Sequence, residues 1–219
     1  MRLNLTHIKL IFASTFLIFA TSNMVLAGSN AHKYLGLVSK SASDTPAKRG
    51  YMPTALRESL VAAAHASYTA DAIDDLGDMQ LHVGHVLHAI DPIQEPSGPG
   101  LGYGLIKAAE NIIESMTLAV EGGDASRNLK LHAKHIIATS QNAIDRSRLA
   151  LIEADAILEA EDAAEAAPHA IKFAEHTKAA FIGVDIDGDG NISWKNGEGG
   201  MKIADKHLGL LLDGEGLKR

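Results

Sequence analysis

Three aspartates, Asp185, Asp187 and Asp189, alternate with Ile186 and Gly188 in the stretch "VDIDGDGNISWKNGEGG". Packed this closely, the carboxylates repel one another, and a divalent cation turns that repulsion into attraction. The competing reading is a cation-free polar turn. A second set of residues suits softer ions. "LHVGHVL" at 81–87 and "LHAKHII" at 131–137 each hold two histidines three residues apart. On a helix, residues at i and i+3 are neighbours, so each pair can chelate one metal through two imidazoles. His82, His85 and His88 extend the first series, and His132 and His135 form the second. These donors suit zinc, copper, nickel or iron; the bland alternative is a solvated face whose charge follows pH.

The acidic stretch resembles an EF-hand, whose loop has the spacing D-x-D-x-D-G-x-I between two helices. The resemblance covers about 30 residues and implies calcium as the ion, with Asp185, Asp187 and Asp189 at loop positions 1, 3 and 5. It further implies Gly190 at the sharp turn, the Asn191 backbone carbonyl as the next ligand and Ser193 as a ligand directly or through water. Ile192 would anchor the loop to the core. The family expects a bidentate Glu at position 12, where this chain has Asn196. Glu198, two residues later, is the expected closing ligand of a stretched loop, with affinity in the weak range of extracellular modules. The His- and Ala-rich helices also resemble small His-rich metal-binding bundle proteins of the bacterial periplasm, which implies buffering or scavenging rather than catalysis.

Positioning these groups falls to helices. From Thr54 onward the chain is Ala-rich, with apolar residues every three to four positions and no strand pattern. Thr54 is the expected cap of a first helix, with Glu58 in its first turn. "DLGD" separates a second helix at 79–90, and the Pro- and Gly-rich stretch 91–104 must be a loop. Helices are then expected at 105–120, at 125–160 (one helix, or two with a bend near 140–144), at 162–183 and after the acidic loop. The repeated histidine element points to duplicated αα-hairpins. The expected fold is all-α: a His-bearing helical bundle over 54–161, then an EF-hand-like helix-loop-helix over 162–219 packed on it. On the helical wheel the histidines of the second helix lie opposite Val83, Val86, Leu87 and Ile90, while His132 and His135 flank an apolar face.

Composition narrows the classes. Residues 1–27 have basic Arg2 and Lys9, an apolar middle and Val25-Leu26-Ala27, the layout of a cleaved signal peptide, so a periplasmic or secreted protein is expected. Residues 28–53 read as a flexible segment. Loss of Arg2 and Lys9, the only charges in the leader, would move the formal net charge from −7 to −9. Such an acidic chain without a basic stripe is a poor partner for nucleic acid or, after cleavage, a membrane. With no cysteine, thiolate metal sites and covalent c-type haem attachment are excluded. The sequence contains neither HExxH nor GxSxG, and no Glu stands three residues before any His. No enzyme is expected. Two alternatives remain: a calcium-stabilised structural or interaction module without a transition metal, and a b-type haem or redox bundle with His85 and His135 as axial candidates.

Overall fold

The computed structural model of the protein describes residues 29–218. The expected signal peptide lies outside the described residues. The described chain is an all-α bundle of α1 (Ser29–Ser39), α2 (Tyr51–Asp71), α3 (Leu76–Ile90), α4 (Leu105–Glu121), α5 (Arg127–Glu159), α6 (Ala163–Ile182) and α7 (Met201–Gly214). No strand occurs among the described residues; one isolated bridge joins Gly183 and Gly199. None of the described helices is long and apolar enough to cross a membrane.

Local chemistry sets most boundaries. Asp75, Ser126 and Asp162 cap α3, α5 and α6, each side chain accepting the backbone N–H three residues on, which satisfies one of the orphan donors of a first turn. Two expectations fail at the N-terminal end. Residues 29–53 hold ordered structure where the sequence reads as flexible: α1 buries Ala31, Leu35 and Val38, spaced i, i+4, i+7 on one face, and that apolar stripe holds it in the core. Thr54 is not a cap either. Helix α2 starts three residues earlier, behind Gly50, and the Thr54 hydroxyl donates to the Gly50 carbonyl at 2.9 Å. Pro53 fits there because a helix's first turn does not use that N–H.

The core divides into two apolar clusters. One joins α1, the start of α2, α4, the first half of α5 and α7, around Leu35, Met52, Ile112, Ile136 and Leu211. The other joins the rest of α2, α3, the second half of α5 and α6, around Val83, Ile90, Ile157 and Phe173. Helix α5, 33 residues without a break, runs through both.

A buried carboxylate ties the long loop between α3 and α4 to α2. Glu58 has no exposed surface. Its Oε1 accepts the N–H groups of Tyr103 (2.9 Å) and Gly104 (3.1 Å), and its Oε2 accepts that of Leu101 (3.0 Å). Gly100, at φ +127°, lets the backbone pass so close that a Cβ would lie 2.6 Å from Glu58 Oε2. Tyr103 in turn donates to Asp44 at 2.5 Å, so burial and that partner raise the phenol's pKa.

Candidate metal centres

Each HxxH element gains a third imidazole from another helix. In the first group, His82 and His85 of α3 meet His65 of α2; in the second, His132 and His135 of α5 meet His207 of α7. His65 Nδ1 lies 3.1 Å from His82 Nδ1 and 3.2 Å from His85 Nδ1. His207 Nδ1 lies 3.2 Å from His132 Nδ1 and 3.4 Å from His135 Nδ1.

A neutral ring nitrogen carries either one proton or one lone pair. Each hub nitrogen therefore cannot make two full hydrogen bonds to the nitrogens facing it. A cation at the centre accepts all three lone pairs at once. The spacing fits: with Zn–N bonds of about 2.0–2.1 Å, the nitrogens of a tetrahedral site stand about 3.3–3.4 Å apart.

The proton balance favours the ligand form. Burial, then the neighbouring imidazoles, holds His65 and His85 below the ordinary histidine pKa. Burial does the same for His132. For His135 burial is joined by His132, Lys134 and Lys195. His207 is pushed down to about 4 by burial and by His135 and His132. These lone pairs are free at neutral pH.

The two groups have different walls. Beside the first, the half-exposed Tyr68 ring meets His65 edge-on at 5.5 Å and lies 5.2 Å from His82. On the second, the Trp194 indole stacks flat on His135, with ring centroids 3.9 Å apart and 21° between planes.

The acidic loop joins α6 to α7. Asp185, Asp187 and Glu198 bring carboxylate oxygens within 4.8 Å of one another. Asp185 braces the turn by accepting from Gly188 and Gly190 N–H, both at 2.9 Å. Asp189 stands outside that trio; it accepts the Asn191 N–H at 2.7 Å, and the Asn191 side chain donates to the Asp189 carbonyl. Ser193 is engaged with Glu198, donating its hydroxyl (2.7 Å) and its N–H (2.9 Å) to Oε2. Those two bonds, joined by weaker help from the backbone N–H groups of Asp187 and Ile186, hold the Glu198 carboxyl below the usual carboxylate range.

Glu198 is only 2 % exposed, and its Oε1 is buried without a hydrogen-bond partner. A buried ionised oxygen left bare is costly. A cation drawn in by Asp185 and Asp187 would remove that cost. The unpartnered oxygen thus stands beside the gathered acids of the same turn.

The chain matches no family model, no curated protein and no solved structure.

Not every histidine singled out in the sequence reaches a cluster. His88 turns away. It is buried, its Nδ1 lies 2.9 Å from the Glu95 carbonyl, and it supports the glycine-rich loop from below. Each i+3 step falls about 60° short of a full turn, so two steps carry His88 about 120° away from His82. His85 and His135 belong to different clusters on different helices, so they do not face each other as a haem pair. His169 pairs with Glu153 of α5 at 2.7 Å.

His65 and His207 are the residues that sequence reasoning missed. The one available signal was arithmetic: an HxxH pair gives two donors, and a protein zinc site needs three or four. The repeat does not reveal the third, since the position matching His65 is Ser115.

Proposed function

We propose that this protein binds metal ions at three places without catalysing a reaction. Two tri-imidazole sites, His65/His82/His85 and His132/His135/His207, take a first-row transition ion such as zinc, copper, nickel or iron. The loop of Asp185, Asp187 and Glu198 takes calcium, with Asp189, the Asn191 carbonyl and Ser193 as further oxygen donors. The role is buffering or scavenging, in the periplasm or outside the cell if residues 1–27 act as a signal peptide.

One observation carries the reading: three imidazole nitrogens converge twice, at 3.1–3.4 Å around each hub histidine. Three nitrogens leave a tetrahedral ion one open position. Both groups lie at the bundle surface, with five of the six histidines part-exposed and His135 buried, so an ion can enter and leave.

The test is elemental mass spectrometry on tag-free protein purified from its export compartment without chelators. About two transition ions and one calcium per chain are expected. Replacing His82, His85, His132 and His135 with Gln should remove the transition ions and leave calcium. Unchanged zinc or copper stoichiometry in that variant would refute the reading. Calcium alone in the natural protein would instead favour the calcium-stabilised module.

A further inference from the structure

Trp194 belongs to the acidic loop, yet its ring covers a ligand of the second tri-imidazole group. Resting on the metal-binding reading above, we propose that the two sites are coupled. Calcium at Asp185, Asp187 and Glu198 raises the affinity of the His132/His135/His207 site for its transition ion and leaves the His65/His82/His85 site unchanged.

The coupling has visible parts. The loop touches α5 at three positions spaced one turn apart along one face. Trp194 stacks on His135. A Cβ on Gly199 would lie 2.6 Å from the Thr139 methyl. The Gly199 carbonyl accepts from Asn142 Nδ2 at 3.2 Å. Thr139 is itself bonded back to the His135 carbonyl at 2.8 Å. Glu198, with its unpartnered oxygen, sits between Trp194 and Gly199 in the chain, so an ion that fixes Glu198 restrains both flanking contacts. The same segment leads directly into α7, which begins at Met201 and presents His207 less than two turns later. Loop order therefore governs the position of two of the three imidazoles. His65, His82 and His85 sit on α2 and α3 and share none of these contacts.

Charge works the other way. Calcium cancels part of the negative field that attracts a second cation. That field acts through solvent at an exposed loop and is screened within about 10 Å at ordinary salt, whereas the stacking and packing contacts are direct. Ordering should win, because a site already held in its bound geometry avoids the ordering cost of binding.

Coupling of this kind is reciprocal and commonly spans about 5- to 150-fold. A contact through one stacked ring belongs near the lower end, on the order of 5- to 10-fold. The experiment uses full-length protein with one histidine site disabled at a time. His65→Gln/His82→Gln isolates the second site, and His132→Gln/His207→Gln isolates the first. Zinc affinity is measured by competition with a chromophoric chelator, with no calcium and with saturating calcium. Trp194 is the only tryptophan in the chain, so its fluorescence, followed before zinc is added, reports calcium binding.

The second site should tighten about 5- to 10-fold with calcium, and zinc should tighten calcium by the same factor. The first site should stay within about twofold. Trp194→Ala should shrink the effect to less than about twofold, Trp194→Phe should keep part of it, and Glu198→Gln should abolish it. Zinc and calcium both bound with no mutual effect, or equal shifts at both histidine sites, would overturn the coupling alone. No zinc bound by either variant would overturn the metal-binding reading and the coupling with it.

Discussion

Replacing Glu58 with Gln removes one charge and almost no volume, in a place where the charge is fully buried and accepts three backbone N–H groups. The remaining amide oxygen can still accept from Tyr103 and Gly104. The new NH2 group then faces the Leu101 N–H, donor against donor, and orphaning a buried donor costs about 1–3 kcal/mol. The two surviving bonds lose their charge assistance, about 1 kcal/mol each. Gln escapes the desolvation cost of a buried carboxylate, which returns part of the loss. The net expectation is a destabilisation of about 2–4 kcal/mol, or a fall in Tm of about 5–15 °C for a chain of this size. Thermal and urea unfolding followed by circular dichroism give the number, and hydrogen exchange at Leu101, Tyr103 and Gly104 gives the location. A variant that melts within about 2 °C of the natural protein, with those amides still protected, would refute the assignment of Glu58 as the loop's anchor.

Three further outcomes are expected. His65→Gln and His207→Gln should each weaken zinc at their own site by at least about 10- to 100-fold, the scale for losing even an outer-shell partner, and spare the other site; equal losses at both sites would contradict two separate centres. Calcium at about 100 times its Kd should stabilise the protein by about 2.7 kcal/mol, a rise in Tm of roughly 5–11 °C. Asp185→Ala and Glu198→Gln should each remove that rise, and a rise that survives in both variants would place the ion elsewhere. The metal-free protein should lose stability as the pH falls from about 6.5 to about 4. Over that window the unfolded chain takes up a proton that the folded His207, held at about 4, does not. The full shift would be worth about 3.4 kcal/mol, and solvent screening of a part-exposed ring reduces it to about 1–2 kcal/mol. Urea midpoints at pH 7 and 5 test this, and His207→Gln should show the smaller loss.

The fold class, most helix limits and the acid-rich loop were legible because each rests on local signals: period, caps, and turn residues such as those of 91–104. The pairing within each HxxH element was legible for the same reason, being one helical turn. What stayed hidden was long-range. His65 lies 17 residues from His82, and His207 lies 75 from His132; only packing of one helix on another brings them together. Glu58 reads as an ordinary first-turn acid on a surface helix, because nothing local shows that a loop more than 40 residues later will close over it. Residues 28–53 read as unstructured because α1 is only 11 residues long, too short to form without the core it packs on. His88 continued the i+3 series in the sequence, but the series drifts around the helix and carries that ring into the interior.

The differing separations of the hub histidines bear on how the chain is held together. An ion at the first site would close a short loop between adjacent helices, whereas one at the second would bind α5 to α7 across most of the C-terminal half. By the logarithmic growth of loop-closure entropy, a bridge spanning 75 residues rather than 17 restricts the unfolded chain by about 1.3 kcal/mol more. In a chain with no cysteine, such an ion would be the counterpart of a long-range disulfide. A disulfide, though, answers to redox conditions; this cross-link would answer to metal supply. When the ion is scarce, α7 would lose that tie to α5, so the lifetime of the molecule would itself track the supply of the ion.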